Sequence, residues 1–257
     1  MGSALVQGML ASGMASGGDF TISSKTPESA ARAASLLGTN AASSNAAALE
    51  GADVVFLCVK PAQTKDVLCG LAPLLGGKLL VSVVAGIRSS VLFHSGGEKL
   101  RVIRAMPNTA VRLRKGITAV APHSSAREDD VRLAEKIFSS VGMPRLVDEA
   151  DLDTITAVSG SGPAFALLML ESLAQGGIDG GLEPEMAKAF AAGALAAAAS
   201  LVQETGETPL ALRAEITSPA GTTAAGLTVL EDAGFPSIVR AAVRSARERS
   251  AELSAQH

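Results

Sequence analysis

The sequence predicts an α/β domain followed by an all-α domain. Up to about Glu149, short apolar runs of strand length alternate with helical stretches; beyond it, every periodic segment reads as helix and no strand candidate occurs. The strand candidates are continuously apolar instead of alternating, as in strands covered on both faces. This predicts a mainly parallel sheet with helices on either side and ligands at the carboxyl ends of its strands.

The elements follow in order. Asp19 to Ser23 is a short strand candidate, and Pro27 to Leu37 reads as a helix with Thr26 placed to cap it and Pro27 at its first position. Ala52 to Val59 (ADVVFLCV) is the strongest strand candidate, and Leu79 to Ala85 and Arg101 to Ala105 repeat its pattern. Thr64 to Leu75 and Arg127 to Val141 read as helices, and Gly116 to Ala121 and Arg145 to Val147 as two more strands. In the second half, Ile155 to Gln175, Pro184 to Glu204, Pro209 to Ile216, Thr222 to Ala233 and Pro236 to Ala255 all read as helices, punctuated by Gly206, Gly221, Gly234 and Pro236. The domains are therefore placed at 1–148 and 149–257.

Composition excludes several classes. The 257 residues are 47% hydrophobic and 18% charged, a globular balance, and a net charge of −3 argues against a nucleic-acid or membrane-surface partner. Arg240, Arg244, Arg247 and Arg249 are interleaved with Glu248 and Glu252 and read as a solvated helix face. Cys58 and Cys69 are the two cysteines; they make no disulfide framework and fit a reducing, cytoplasmic compartment, with Cys58 a buried thiol in an apolar run. His94, His123 and His257 lack metal-ligand spacing, so no metal is expected. No signal segment opens the chain, and the apolar stretch Phe190 to Val202 is too short to span a bilayer and reads as a buried helix. The small side chains along residues 187–202 permit close helix–helix approach on every face, which predicts a dimer core, with an intramolecular bundle as the alternative.

Several segments carry candidate chemistry. Met1-Gly2-Ser3-Ala4-Leu5 resembles the start of the helix that follows a Gly-rich dinucleotide loop, with Gly2 as its third glycine; the strand and the first two glycines are absent. Ser23-Ser24-Lys25-Thr26 contains no acid to bind a ribose 2′-hydroxyl, and small hydroxyls beside a lysine suit a 2′-phosphate or simply a polar turn. Val59-Lys60-Pro61 and Met106-Pro107-Asn108-Thr109 end strands, where they would face a ligand or only turn the chain. Ser159-Gly160-Ser161-Gly162-Pro163-Ala164 opens the helical half and lacks the spacing of a hydrolase nucleophile elbow. Thr217-Ser218-Pro219-Ala220-Gly221-Thr222-Thr223 leads into a helix whose free amides suit a carboxylate, or is a plain N-cap.

Taken in order, MGSAL, VKP, RAMPNTA, SGSGPA and SPAGTT resemble the successive motifs of the pyrroline-5-carboxylate reductases, and the resemblance covers essentially the whole chain. It implies a Rossmann-type domain, a helical domain that interlocks with its twin in a homodimer that is often assembled into a larger homo-oligomer, an active site between the two, and hydride transfer from NADPH, or NADH, to the C=N bond of pyrroline-5-carboxylate, giving proline. Met1 and Gly2 would lie at the diphosphate; Ser24, Lys25 and Asn45 near the adenine ribose; Val59, Lys60, Pro61, Ala85 and Asn108 on the nicotinamide side. Glu149 matches a substrate-contacting acid, while Ser218, Gly221, Thr222 and Thr223 match the carboxylate and imine site, with Thr223 orienting the nitrogen. Ala220 in place of a usual glycine, Phe165 in place of a common tyrosine and Ala110 in place of a frequent proline depart from the pattern without removing a reacting group. The chain also begins one strand late, which suggests a late start codon or an omitted segment and predicts weak cofactor binding if the chain is complete.

Two other readings stand beside this one. A 3-hydroxyacid dehydrogenase-like reductase would need a catalytic lysine in the helical half, where Lys188 lies away from SGSGPA. A catalytically dead dimeric paralogue is favoured only by the shortened phosphate loop.

Overall fold

A computed structural model describes residues 1–255. The strands are β1 (Thr21–Ile22), β2 (Asn40–Ala41), β3 (Val54–Leu57), β4 (Leu79–Ser82), β5 (Arg101–Pro107), β6 (Gly116–Pro122) and β7 (Gly142–Leu146). The helices of the first half are α1 (Gly2–Ser12), α2 (Pro27–Leu37), α3 (Asn45–Ala48), α4 (Thr64–Leu75), α5 (Ser89–Gly96), α6 (Glu128–Ser139) and α7 (Leu152–Ile155). Those of the second half are α8 (Gly162–Asp179), α9 (Pro184–Thr205), α10 (Pro209–Glu215), α11 (Thr222–Asp232) and α12 (Phe235–Ala255). The chain divides into two compact units, Met1–Gly160 with residues 246–255, and Ser161–Ser245.

In the first unit β3, β4 and β5 are parallel neighbours, β6 pairs antiparallel with β5, and β7 runs parallel to β6. The expected α/β class holds, with the antiparallel β5–β6 pair its one exception. Side chains alternate across the buried strands. Leu79, Val81, Ile103 and Ala105 face a cluster built with Leu5 and Met9 of α1 and Ala134, Ile137 and Phe138 of α6. Leu80 and Val102 face the opposite cluster, with Leu68 and Leu75 of α4 and Leu92 of α5. Each such large side chain contributes on the order of 2 kcal/mol by leaving water, so the β4–β5 ladder anchors the unit.

Local sequence sets the ends of these elements. Thr26 caps α2 as expected, its hydroxyl accepting the Ser29 N–H at 3.2 Å, and Gly38 closes the helix in the left-handed conformation. The expected single helix from Ile155 to Gln175 is instead α7, a π-helical turn over Thr156–Gly160, and α8. Two glycines and Pro163, which lacks an N–H and fits only a first turn, break the segment there. The short helix α5 was not anticipated from its sequence SSVLFHSG.

The first compact unit extends past Asp148 to Gly160, because the intervening residues are tied to the sheet. Leu152 is buried with Ala119 and Ala121 of β6. The end of α12 belongs to the same unit: the Ser250 and Ser254 hydroxyls both donate to Asp153 Oδ1, at 2.6 and 3.2 Å.

In the second unit α8 and α9 pack through Ala174, Ala187 and Ala191. The Ala-rich helix α9 differs from expectation. At 22 residues it is long and apolar enough to cross a membrane, as is Glu149–Asp179, and only Ala187 and Ala191 of α9 are buried. The apolar character runs past the stretch 190–202 that the sequence suggested, and most of the helix surface is left uncovered among the described residues. Leu167, Leu168, Met186 and Phe190 stay exposed, Phe190 by 70%. His257 lies outside the described residues.

β1 and β2 form a separate parallel pair, and β3 has one ladder partner, leaving an open edge of half-buried valines and a phenylalanine. An open apolar edge costs ladder bonds and cover. Adding an N-terminal strand-forming extension is expected to raise Tm; an unchanged Tm would show that the open edge carries no penalty.

Candidate active site

Most residues singled out from sequence in the first unit stand at the carboxyl ends of strands. Val59 and Lys60 follow β3, and Pro61 opens a 3-10 turn leading into α4. Ala85 follows β4, and Asn108 follows β5, its side-chain oxygen accepting the Ala110 N–H at 3.2 Å. Because these three strands are parallel, all of these residues share one edge of the sheet. Ser24 and Lys25 follow β1, and Asn45 begins α3 just after β2, so these three likewise share one edge of the parallel β1–β2 pair.

Met1 and Gly2 form the start of α1, and no side chain caps the helix. Its first N–H groups therefore lack intrahelical partners, the arrangement that receives a phosphate group. A Cβ on Gly2 would stand 3.3 Å from both Cβ and Sγ of Cys58, at the end of β3. That close approach is the packing role of the third glycine in a dinucleotide loop. Ser23 to Thr26 offer no carboxylate, and the Ser24 hydroxyl is 3.0 Å from that of Ser29. An uncapped helix start and a tight helix–strand contact fit a dinucleotide.

Cys58 departs from expectation. It stands at the strand end with part of its surface reaching solvent, not inside the core. Crowding around the thiol nevertheless pushes it up to about 11, with the N-terminal ammonium a smaller opposing influence, so it is no thiolate nucleophile at neutral pH.

Glu149 is the one carboxylate of the set, and it accepts three hydrogen bonds. Its Oε1 accepts the Ser89 N–H at 2.6 Å and Arg104 Nη1 at 2.8 Å, and its Oε2 accepts the Ser89 hydroxyl at 2.6 Å. Burial by itself raises the Glu149 carboxyl, but the bonds from Ser89 and Arg104 outweigh it and hold it below its ordinary 4.5. The folded value is depressed, so the tie is complete above the ordinary carboxylate range and is lost as pH falls through the lowered value. Both oxygens expected to meet a substrate already have donors from the chain itself. Ser89 and Arg104 were not anticipated from sequence. The signal was an arginine inside the apolar run RVIRA, since a charge buried in a strand requires a partner.

In the second unit the segment Thr217 to Thr223 forms a tight turn. The Gly221 N–H donates to Ser218 O at 3.1 Å, with Pro219 and Ala220 between them. Ala220 has φ 56°, so this alanine occupies a left-handed position that suits glycine. A Cβ on Gly221 would lie 2.3 Å from Ser218 Oγ, so a larger residue there would have to turn the Ser218 hydroxyl aside. Gly221 caps α11 with extended backbone and no side-chain bond, leaving the amides of Thr222, Thr223 and Ala224 at an open helix start. Thr222 and Thr223 are exposed, whereas the Thr217 hydroxyl is turned back to Arg213 O at 2.6 Å. Among the described residues no group of three or more His, Cys, Asp or Glu could hold a metal ion.

Comparison with known proteins also treats the two halves separately. Residues 149–253 match the profile described as pyrroline-5-carboxylate reductase dimerisation, and residues 1–86 match that described as NADP oxidoreductase, coenzyme F420-dependent. The chain is 34% identical over 255 residues to the pyrroline-5-carboxylate reductase of Escherichia coli, covering 99% of this chain and 95% of that one. It is 41% identical over 209 residues to that of Synechocystis, covering 81% and 78%. Among solved structures, the pyrroline carboxylate reductase of Plasmodium falciparum with NADP bound superimposes with a TM-score of 0.88 at 29% identity, over 99% of this chain and 94% of that one. That of Coxiella burnetii gives 0.89 at 31%, over 98% and 94%.

Replacing Ala220 by glycine removes a left-handed alanine, worth about 1 kcal/mol. A rise in Tm of a few degrees is the expected result; a fall would show that the turn gains more from the methyl group than it loses in strain.

Proposed function

The chain belongs to the pyrroline-5-carboxylate reductase family, and from that premise we propose how its residues carry out the reduction of 1-pyrroline-5-carboxylate to L-proline, the last step of proline biosynthesis. NAD(P)H supplies the hydride that adds to the C=N carbon. The chain's part is to hold donor and acceptor and to set the charge state of the nitrogen.

The observation that carries this reading is the open start of α11 behind a turn of small residues. Its free amides, with Ser218 and Gly221 beside them, suit the substrate carboxylate. The Thr222 hydroxyl is a further donor to that carboxylate. A protonated imine accepts hydride more readily than a neutral one, and Thr223 Oγ1 orients that nitrogen. On the cofactor side, Met1 and Gly2 receive the diphosphate, Ser24, Lys25 and Asn45 the adenine ribose with its 2′-phosphate, and Val59, Lys60, Pro61, Ala85 and Asn108 the nicotinamide half. The acid-free segment Ser23 to Thr26 favours NADPH over NADH. Glu149, whose oxygens are engaged by Ser89 and Arg104, is better read as supporting this site than as touching the substrate.

The exposed apolar faces of α8 and α9 support a homodimer built through the second unit. Two cysteines outside any disulfide fit the cytoplasm.

Proline-dependent reduction of NADP⁺ at alkaline pH tests the reaction. Activity is expected, with Thr223→Ala lowering kcat/KM by about ten- to a hundredfold; an unchanged value would remove Thr223 from the mechanism, and no activity in the parent chain would favour a catalytically dead paralogue. For the assembly, light scattering is expected to give twice the chain mass, and Phe190→Asp with Leu168→Asp to give monomers. A monomeric parent would contradict the dimer.

A further inference from the structure

The helix α5 begins without a cap of its own. Arg88 occupies the N-cap position and makes no side-chain bond, although the first N–H groups of a helix need acceptors. Glu149, sixty residues away in sequence, takes that role by accepting both the N–H and the hydroxyl of Ser89. The same carboxylate accepts from Arg104 of β5, whose side chain is only 9% exposed. One carboxylate therefore fixes the start of α5 to the neighbouring strand, and the helix dipole adds to its hold.

Between β4 and α5 lie only Val83 to Arg88, including Ala85 and Gly86. This turn is held from a second side. A Cβ on Gly86 would stand 3.2 Å from Leu253 Cβ of α12, and the same end of α12 is bonded to Asp153 through Ser250 and Ser254. The segment carrying Glu149 and Asp153 thus reaches both supports of the turn, one through α5 and one through α12.

We propose that Glu149 is a positioning residue for cofactor binding: with Ser89 and Arg104 it sets the β4–α5 turn so that Ala85 meets the nicotinamide half of the dinucleotide. This rests on the reading, given above, that Ala85 lines the nicotinamide side. It gives the residue a role distinct from substrate contact, and kinetics separates the two. Loss of a positioning residue loosens NADPH and slows hydride transfer while the imine binds as before; loss of a substrate contact raises KM for the imine.

The test measures NADPH Kd, kcat and the KM of each substrate for Glu149→Gln, Ser89→Ala and Ala85→Leu, each checked for folding by circular dichroism. Glu149→Gln is expected to raise NADPH Kd and lower kcat by about five- to twentyfold, with the imine KM within about twofold of the parent. Ser89→Ala, which leaves the Arg104–Glu149 pair intact, is expected to shift the same two quantities by a smaller factor, so it decides the matter if Glu149→Gln does not fold. Unchanged NADPH binding and kcat in the folded variants, with Ala85→Leu still weakening NADPH, would overturn the proposal and leave the turn's place beside the cofactor standing. A rise confined to the imine KM would overturn it in favour of substrate contact. No effect of Ala85→Leu on NADPH would remove the reading on which the proposal rests.

Discussion

Parallel pairing of β3, β4 and β5 is the constraint on which the first unit depends. A parallel strand cannot be reached by a hairpin, so the chain must cross over before it adds each one. Every crossover leaves from the same edge of the sheet. Residues far apart in sequence, Lys60, Ala85 and Asn108 among them, are thereby gathered along one edge without any contact between them to specify it. The cores on the two faces of the sheet hold that edge rigid, and the turns along it are free to carry binding chemistry.

The second unit follows a different rule. Alanines let α8 and α9 approach closely, but they leave large apolar side chains such as Phe190 and Leu168 in water. A single chain does not satisfy such helices. The family's dimerisation profile over residues 149–253 covers these helices, which fits apolar faces that meet a second chain.

Much of this architecture is legible in the sequence, because unbroken apolar runs and Gly or Pro punctuation are local signals. The bounds of α2 and α4 follow from Pro27, Thr26 and the spacing of their apolar residues. The break between α7 and α8 is less legible, since a π-helical turn has no pattern of its own. The surroundings of Glu149 are the clearest case of information held elsewhere in the chain. Its partners lie at Ser89 and Arg104, and only the folded sheet brings them within hydrogen-bond distance. Ala220 shows the reverse: its departure from the family's glycine is visible in sequence, and the positive φ explains what the departure costs.

Hydrogen exchange of the backbone amides, with and without NADP⁺, tests most directly whether the strand ends form the dinucleotide site. Protection is expected to concentrate at the start of α1 and in the segments that follow β1, β2, β3, β4 and β5, with the amino ends of those strands unaffected. Protection confined to the opposite edge of the sheet, or none at saturating NADP⁺, would contradict it.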